Sequence, residues 1–545
     1  MQRNTRQLKT NHFDVIVIGA GVHGACIARD ASLRGLSVAL IDKGDICGAT
    51  SHNSLKTIHG GIRYLQHLNF KRTLECIKEQ KYWLKTAPHL IKPLPFLVPI
   101  YGHGTRGPEA MWLGTKLYET MCFRRNRGAS NYHAIPKGRI ISAQECLKLT
   151  PSVKRKGLTG GAIWYDAQVE NTDRTVIEIA QSAAMNGACI ANYVSAENFI
   201  VKDNTVIGVS ARETLSNKDS NQEPSARFDI LGDLVINATG PWAAKLLSGS
   251  NHSSLSNHRL PLIKSMNLVT RKILPEHAIG IQSKRQSDSA VGNSKRLYFI
   301  VPWRECSIIG TTHFKLDDSD NTNDFSQNTA KTRMEIDEFI HEINDAYPDA
   351  KLSTDDIIYC HQGLIPANDS KQHENITHLH HSKIIDHAKS DNINGLVSII
   401  SIKWTTARLI AEQATNLAIK KLSTKLTATE LAGLKSCQTR DTPLPNANSP
   451  VKDIDLQSSS AELSEFVQRA VTEEMTLSLN DLLLRRTDAV MQNLLSIQQI
   501  KTLSQQLANH RGWNTTEKQQ QLEELQRCWL APEIKKQLTA DLIWS

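Results

Sequence analysis

The first apolar runs of the chain are spaced as a strand, a helix and a second strand. Four β-branched residues in succession, residues 15–18, are typical of a parallel strand that is buried on both faces. A helix is predicted over Val22–Arg34, and Gly35 is a suitable residue to end it. A second apolar run at 37–41 completes the unit. The pattern predicts a βαβ unit with a parallel sheet, and therefore an α/β fold.

Three glycines between the first strand and the helix follow the spacing G-x-G-x-x-G. Gly19 allows a tight turn, Gly21 lets the backbone approach a pyrophosphate, and Gly24 lets the helix pack close to the strand. Asp42 ends the second strand about 20 residues later, where a carboxylate can bind an adenosine ribose. These features together predict a dinucleotide-binding site. The alternative is a glycine-tolerant turn without a ligand.

Strand and helix patterns alternate as far as residue 422, and the pattern after residue 450 is helical. Strands are predicted at 96–102, 189–197, 206–212, 233–243, 260–270, 298–310 and 395–402, and helices at 70–84, 176–186, 330–344 and 403–422. Residues 423–450 are rich in Ser, Thr, Pro and Asn, which predicts a linker. Beyond it, apolar stripes with helical spacing and a capping box at Asn514 and Glu517 predict an all-α region.

Composition narrows the class of protein. The chain has 545 residues, too many for one compact core, and its 40% hydrophobic and 22% charged residues are ordinary for a folded protein. It contains no apolar run of about 18 residues and no secretory signal pattern. The ten cysteines lack metal-ligand spacing, so we expect buried free thiols and no metal site. The net charge of +9 comes with no nucleic-acid motif, so nucleic-acid binding is not predicted.

Two further segments carry candidate chemistry. Residues 43–66 are polar and contain several glycines, and they directly follow the predicted ribose-binding acid. We expect them to run along a bound cofactor, the alternative being a surface loop. Residues 103–128 mix apolar bulk such as Trp112 with Arg124 and Arg127. A basic amphipathic stretch of this kind suits either a membrane interface or a helix with a solvated basic end.

Two strings of residues give the chain a family resemblance. G-A-G-V-H-G-A at 19–25 and A-T-S-H-N-S-L-K-T-I-H-G-G-I-R-Y-L at 49–65 are similar to motifs of the FAD-dependent glycerol-3-phosphate dehydrogenases, which belong to the D-amino-acid-oxidase-like flavoenzymes. The resemblance extends over residues 13–535. It implies that the dinucleotide is FAD and that the enzyme oxidises a small substrate and passes the electrons to quinone.

The resemblance also implies the domain organisation. We expect a Rossmann-like FAD-binding domain interleaved with a mixed-sheet substrate domain over 12–422, a linker over 423–450, and a C-terminal all-α domain over 451–545. The FAD-binding segments are predicted at 12–90, 150–250 and 355–422, and the substrate-domain segments at 91–149 and 251–354.

Candidate site residues follow from the motifs and from the resemblance. The glycine turn, Asp42 and an Ala-Thr-Gly turn at 238–240 are expected to hold the nucleotide. The resemblance adds residues of 49–65 and the start of the helix at 403–422, where partial positive charge suits a reduced flavin. The predicted cofactor-binding residues are Gly19, Gly21, Gly24, Asp42, Thr50, Ser51, Ser54, Lys56, Gly60, Gly61, Ala238, Gly240, Thr405 and Thr406. The predicted catalytic residues are Arg63, Lys403, His59 and Asn267.

The sequence departs from the family pattern on the substrate side. In the family an Arg in a G-x-R-P string binds phosphate, whereas the corresponding string here is G-L-I-P at 363–366, which places Ile365 at that position. A second basic position falls near His380, and Asn267 stands where the family has a substrate-side His. Isoleucine cannot donate the bidentate hydrogen bonds that a phosphate dianion prefers.

Three functions therefore stay open. The first is a glycerol-3-phosphate dehydrogenase with rearranged phosphate ligands. The second is a related FAD enzyme that oxidises a different hydroxy or amino compound, with quinone or oxygen as the acceptor. The third is a flavin-binding protein without turnover. The expected setting is the cytoplasm, with peripheral contact at the inner face of the membrane, and a homodimer is the expected assembly.

Overall fold

The computed structural model describes residues 1–104, 107–127, 134–215, 226–250, 252–286, 295–317, 329–368, 377–379, 381–528, 538–539 and 543–544. Its strands are β1 (His12–Ile18), β2 (Val38–Ile41), β3 (Thr57–Ile58), β4 (Ile91–Tyr101), β5 (Arg139–Ser142), β6 (Leu158–Val169), β7 (Cys189–Ala191), β8 (Val194–Lys202), β9 (Thr205–Glu213), β10 (Phe228–Asn237), β11 (Leu262–Arg271), β12 (Ala278–Gln286), β13 (Lys295–Trp303), β14 (Cys306–Lys315), β15 (Ile357–Asn368), β16 (Thr377–His378), β17 (Lys383–Asp386) and β18 (Leu396–Ile400). Its helices are α1 (Thr5–Thr10), α2 (Val22–Arg34), α3 (Phe70–Thr86), α4 (Pro108–Met121), α5 (Ala143–Leu149), α6 (Thr172–Met185), α7 (Ala243–Ser248), α8 (Ala330–Ala346), α9 (His387–Ser390), α10 (Ala407–Leu422), α11 (Ala428–Gly433), α12 (Ser460–Glu474), α13 (Ile497–Arg511) and α14 (Thr515–Arg527).

The smaller sheet contains the predicted βαβ unit. Its strands lie in the order β17-β18-β10-β1-β2-β7, and the antiparallel pair β8 and β9 is attached to β10. The strands from β18 to β7 run parallel. Ile18 of β1 pairs with Ile41 of β2 and with Asn237 of β10, so the carboxyl ends of these strands lie level with one another. Helices α2, α6 and α10 pack together over one face of this sheet.

Glycine allows α2 to approach the end of β1 closely. A Cβ atom on Gly24 would lie 1.7 Å from the carbonyl oxygen of Gly19. Gly19 itself has a φ of +102°, and a Cβ atom there would lie 2.7 Å from the carbonyl oxygen of Ala238. Helix α2 has the predicted bounds and ends at Gly35, whose φ is +103°. The turn role of Gly19 and the packing role of Gly24 are thus confirmed.

The larger sheet lies beside the first and is mixed, as predicted. Its strands run in the order β16-β15-β11-β14-β13-β12-β4-β6-β3, with β5 beside β6. Most neighbours are antiparallel, and β12 pairs with β4 in parallel. The predicted segment boundaries group β6 and β15 with FAD-binding segments, but both strands pair within the larger sheet. Long strands that pair with distant partners cannot be assigned to a sheet by local pattern.

Residues 423–450, expected to be a linker, pack closely against the helices of the smaller sheet. The guanidinium of Arg29 donates to the carbonyl of Thr442 at 2.6 Å. The backbone N–H of Leu444 donates to the carbonyl of Thr86 at 2.8 Å, and the Leu444 side chain is buried. The segment also contains the short helix α11. The linker prediction rested on the polar composition of the segment, whereas a few apolar side chains such as Leu444 fix it against the helices.

The C-terminal region is helical, as predicted. Helices α12, α13 and α14 each begin with a capping box, and the box of α14 is the one predicted at Asn514 and Glu517. Their apolar stripes form one core with Trp303 and Tyr359 of the larger sheet. The helical region is therefore packed on the second sheet.

Two composition-based expectations can be compared with the structure. All ten cysteines are free thiols and eight of them are buried, which confirms the reading of them as core residues. Within the described residues, no helix has both the length and the apolar character needed to cross a bilayer.

A buried cluster of charges joins the C-terminal region to the segment that follows β2. The guanidinium of Arg486 donates to the carboxylate of Asp45 at 2.7 and 2.9 Å, and that of Arg485 donates at 2.7 Å. Burial alone would raise the pKa of Asp45, but the two arginines hold it at about 2. Because Asp45 lies just after Asp42, this cluster fixes the chain next to the predicted ribose-binding acid.

Replacing Asp45 with Asn should destabilise the protein by up to about 3–5 kcal/mol, because both buried guanidinium groups would lose the carboxylate that they share. Asp481 would remain as a partner of Arg485, and the more distant Glu474 as a partner of Arg486. Chemical denaturation followed by circular dichroism measures the change. The matched control is Asp441→Asn, whose carboxylate is 74% exposed and pairs with Lys85, and which should cost less than about 1 kcal/mol. In the parent, the contribution of Asp45 is present above about pH 4 and is lost as the pH falls through the native pKa of about 2. Equal destabilisation by the two variants would contradict the assigned role.

Candidate active site

Four parallel strands end at the same edge of the smaller sheet, and each is followed by predicted site residues. The glycine turn follows β1, Asp42 follows β2, Ala238–Gly240 follow β10, and the segment 401–406 follows β18. In open α/β sheets, ligands bind in the crevice outside the carboxyl ends of the strands, where the connections diverge to opposite sides. The structure therefore brings these four groups of residues together.

The glycine turn and the start of α2 form the floor of this crevice. Ser51 accepts a hydrogen bond at its Oγ from the backbone N–H of Val22 at 3.0 Å, which places the segment 43–59 against the first turn of the helix. Gly21 has ordinary backbone angles, and a Cβ atom there would lie 3.1 Å from Ser51 Oγ. The amino end of a helix, with its partial positive charge and N–H groups, is suited to a diphosphate.

Asp42 lies at the end of β2 and is fixed by the backbone. One of its carboxylate oxygens accepts from the N–H of Ala20 at 2.6 Å and the other from the N–H of Gly44 at 2.9 Å. Burial raises the pKa of Asp42 to about 6, although the backbone hydrogen bonds and Lys43 oppose the rise. Each oxygen retains a second lone pair that can accept from a ribose hydroxyl.

The turns after β10 and β18 form the other side of the crevice. Gly240 has a φ of +58°, and apart from its two chain neighbours no atom of the described residues lies within 4 Å of the position that a Cβ would take. Ala238 donates its backbone N–H to the carbonyl of Ile18 at 2.9 Å, which joins this turn to the glycine turn. Thr406 begins α10, and its side chain does not cap the helix. The start of α10 therefore offers a second helix terminus at the crevice.

Residues 43–59, the connecting segment, lead from the smaller sheet to the larger one. Thr50 donates its hydroxyl to the carbonyl of Leu364 at 2.9 Å, and Asn53 accepts from the backbone N–H of Gln362 at 3.1 Å. Asn267 donates its amide to the carbonyl of Asn53 at 3.3 Å. The middle of the segment is thus held against β15 and β11 of the larger sheet.

His59 lies where the connecting segment meets both sheets. Its Nδ1 is 2.8 Å from a carboxylate oxygen of Asp166 on β6, and its backbone N–H donates to the hydroxyl of Thr405 at 3.2 Å. The ring lies beside Phe96 and Phe299 of the larger sheet, and the side chain is 45% exposed. Asp166 was not among the predicted site residues, although the W-Y-D-A string at 164–167 was a signal that could have identified it.

Lys403 and the segment of Arg63 lie next to each other. The ammonium of Lys403 sits 4.2 Å from the ring centroid of Tyr64. Arg63 belongs to the 3-10 turn Ile62–His67, which Gly61 begins with a φ of +83°; the Arg63 side chain lies outside the described residues. Two of the predicted catalytic residues therefore come from adjacent pieces of backbone.

Several predicted side chains are engaged in the fold itself. Lys56 is buried, and its ammonium donates to Thr172 at 3.1 Å and lies over the ring of Trp303, so it points into the interior and not toward the crevice. Asn267 is also buried and accepts from the hydroxyl of Thr311 at 2.7 Å. Ser54 accepts from the N–H of Lys56 at 3.3 Å. These contacts place Asn267 and Ser54 in the support of the connecting segment.

The substrate side lacks the expected guanidinium in its described part. Ile365 is half-buried on β15, opposite Ile263. The ammonium of Lys264 donates to Glu335 at 2.5 Å, and both side chains are buried. His380 lies outside the described residues. The guanidinium of Arg408 lies in the interior and donates to the carboxylate of Glu79 at 2.8 and 2.5 Å.

One cluster of possible metal ligands is held by hydrogen bonds. His258 Nε2 lies 2.8 Å and His387 Nδ1 lies 2.6 Å from oxygens of Asp391. Atoms bound to one tetrahedral zinc ion lie about 3.3 Å apart. The other nitrogen of His387 is 2.8 Å from the hydroxyl of Ser398 on β18. These shorter distances fit shared protons between the side chains.

The crevice and its glycine turn define a dinucleotide-binding enzyme scaffold of the doubly wound type. Comparison with known sequences is more specific. The family model described as FAD dependent oxidoreductase matches residues 14–416, and the chain belongs to that family.

Individual relatives agree with this assignment. The chain is 30% identical over 453 residues to glycerol-3-phosphate dehydrogenase of Synechocystis sp., covering 82% of this chain and 75% of that protein. It is 30% identical over 438 residues to alpha-glycerophosphate oxidase of Streptococcus pyogenes, covering 79% of this chain and 66% of that protein. The solved glycerol-3-phosphate dehydrogenase of Bacillus halodurans, complexed with FAD, shares the fold over 99% of this chain and 97% of its own, with a TM-score of 0.68 at 22% identity.

FAD is the cofactor of this family, and the residues present fit it. The glycine turn leaves no side chain between the backbone and a diphosphate, Asp42 offers carboxylate lone pairs beside it, and the surroundings of Gly240 are open. The starts of α2 and α10 add partial positive charge at opposite parts of the crevice. The predicted cofactor is thus supported by the chemistry of the site.

We expect the ribose hydroxyls of FAD to donate to the ionised form of Asp42, so FAD should bind more weakly at acidic pH. Since the pKa of Asp42 is raised to about 6, the affinity of the apoprotein should fall about tenfold for each pH unit below 6. Fluorescence titration with FAD between pH 5 and 8 measures this. The Asp42→Asn variant should bind FAD at least about tenfold more weakly at pH 8, and its affinity should no longer depend on pH. An unchanged slope in the Asn variant would exclude Asp42 as its source.

Proposed function

We propose that this protein oxidises a carbinol carbon of a small hydroxy substrate. When bound, FAD supplies the acceptor for a hydride, which is the two electrons and the hydrogen of the carbinol C–H bond. The hydroxyl proton must go to a protein base as the C–O bond becomes a carbonyl. The observation that carries the proposal is the position of His59, which Asp166, Thr405 and two aromatic rings hold at the seam between the sheets.

Arg63, Lys403 and His59 are the proposed catalytic group of this chain. His59 accepts the proton, while the cations Arg63 and Lys403 orient an electron-rich substrate and stabilise the negative charge that develops on its oxygen. Asn267 supports this group through the connecting segment. Glycerol 3-phosphate is the first substrate to test, because the relatives above are named for it.

Ile365 supports a second candidate, a different hydroxy or amino compound. A phosphate dianion prefers guanidinium forks, and the described residues around Ile365 supply an apolar side chain. A neutral or singly charged substrate would fit this edge better. A flavin-binding protein without turnover is the third candidate, and the solvent-facing histidine disfavours it.

The experiment is anaerobic mixing of the holoenzyme with a panel of substrates while the visible flavin absorbance is followed. Bleaching by glycerol 3-phosphate at low concentration supports the first candidate. Bleaching by an unphosphorylated alcohol or an amine, with glycerol 3-phosphate inactive, supports the second. If the flavin is bound, is reduced by dithionite, and is reduced by no member of the panel, the enzymatic proposal is wrong. Reoxidation by a soluble quinone or by oxygen then identifies the acceptor.

We propose that quinone is reached from a membrane surface and that one exposed face of the protein makes the contact. The α3–α4 apolar face consists of exposed Leu, Phe and Trp side chains on α3, on α4, just after the end of α4 and on the turn between Ile62 and Asn69. They are Leu68, Phe70, Leu74, Trp112, Leu113, Leu117 and Phe123. The three elements share a small core of their own. Lys116 and Arg124 add positive charge beside it, which suits an anionic lipid surface.

Replacing Leu113 and Phe123 together with Glu should reduce binding to phosphatidylglycerol vesicles by at least tenfold. Burying each side chain in the lipid should contribute about 1.5–3 kcal/mol to the binding free energy. In the free protein Leu113 is 65% exposed and Phe123 is 85% exposed. Vesicle co-sedimentation measures the change, and Met334→Glu, at an exposed position of α8, is the control. If light scattering shows a dimer for the parent and a monomer for the double variant, a second copy of the chain covers this face. Undiminished vesicle binding would contradict the proposal.

A further inference from the structure

The carboxylate of Asp166 forms hydrogen bonds with two neighbouring residues. One oxygen lies 2.8 Å from Nδ1 of His59, and the other accepts from the backbone N–H of Gly60 at 2.7 Å. Asp166 is buried in β6, so few other donors reach it. The Gly60 backbone lies close to Tyr118, because a Cβ atom on Gly60 would lie 2.0 Å from the Tyr118 hydroxyl.

These contacts determine which nitrogen of His59 carries the proton. Since Gly60 donates to one oxygen, the other oxygen is left to accept from Nδ1–H of the imidazole. The neutral ring then has its lone pair on Nε2. No described residue forms a hydrogen bond with Nε2, and the ring is partly exposed beside Phe96 and Phe299.

We propose that Asp166 is a positioning residue that holds His59 as a proton acceptor at Nε2. This rests on the proposed function, in which the hydroxyl O–H bond breaks and its proton forms a bond to Nε2 while the hydride leaves with the electron pair of the C–H bond. The ring becomes an imidazolium, and its Nδ1–H bond to the carboxylate becomes charge-assisted at that moment. Asp166 keeps its charge and takes no proton.

The backbone of Gly60 makes an isosteric test unusually clear. In Asp166→Asn, the amide oxygen must face the N–H of Gly60, so the amide NH₂ faces His59. The NH₂ group donates to Nδ1, which drives the ring proton to Nε2 and removes the lone pair from the substrate side. The same exchange in serine proteases lowers turnover about 10⁴-fold.

Stopped-flow reduction of the holoenzyme flavin measures the effect. With the substrate that bleaches the parent, Asp166→Asn should lower the limiting reduction rate at least about 100-fold, with FAD content and substrate dissociation constant nearly unchanged. In a His59→Ala background the same substitution should change the rate by less than about threefold, because a residue that acts through His59 has no effect without it. Equal losses in both backgrounds would overturn the proposal.

A matched control separates positioning from folding. His89 and Glu178 form a second buried imidazole–carboxylate pair, 2.8 Å apart, between α6 and the residues that precede β4. Glu178→Gln should lower the unfolding temperature and leave the flavin reduction rate of the folded holoenzyme unchanged. If it slows reduction as much as Asp166→Asn does, the loss reflects general destabilisation and the proposal is wrong.

If no member of the panel reduces the flavin, the proposed function is wrong, but the role of Asp166 can still be tested by spectroscopy. In the holoenzyme labelled with ¹⁵N-histidine, the His59 signals are those absent from His59→Ala. They should report protonation at Nδ1 in the parent and at Nε2 in Asp166→Asn. The same tautomer in both proteins would overturn the role of Asp166.

Discussion

The approach of α2 to the end of β1 is the constraint on which the site depends. Gly19 and Gly24 meet at a distance that no other residue type permits, and the turn after β10 closes against Gly19 from the other side. The amino end of α2 is thereby held level with the carboxyl ends of four parallel strands. A diphosphate placed there meets backbone N–H groups instead of side chains, which explains why the chain has glycine at these positions.

The connecting segment joins the nucleotide site to the larger sheet. It leaves the smaller sheet at Asp42, passes the start of α2 at Ser51, and enters the larger sheet as β3. Hydrogen bonds to β15 and β11 fix its middle, and Asp166 of β6 fixes its end. In the proposed function, hydrogen bonds from both sides would hold His59 in register with the cofactor. The Asp45 cluster extends the same fixation to the C-terminal helices.

Local features of this protein could be predicted from the sequence, and features that depend on distant partners could not. The βαβ unit, its glycines and the cap of α14 depend on neighbouring residues, so pattern alone placed them. The membership of β6 and β15 in the larger sheet depends on strands far away in sequence.

The same distinction holds within the site. Motif strings located His59 and Gly60, but the orientation of Lys56 toward Trp303 follows from tertiary packing that no string contains. Asp166 belongs to the W-Y-D-A string at 164–167, but its role becomes apparent only from its distance to His59 in the structure. Ile365 is the opposite case, since the sequence alone showed a departure from the family, and the structure added an apolar setting on β15.

FAD binding to a variant of Gly21 tests the central claim most directly. Gly21 has a φ of −69° and extended ψ, which any residue adopts. A Cβ atom there lies 3.1 Å from Ser51 Oγ, so Gly21→Val requires a small shift of that hydroxyl, and denaturation of both apoproteins checks that the variant folds. Its side chain would stand where the diphosphate is proposed to lie. We predict one FAD per chain in the parent and a loss of at least about 100-fold in affinity in the variant, equivalent to about 2.7 kcal/mol. Equal FAD content and affinity in the two proteins would contradict the placement of the cofactor against α2.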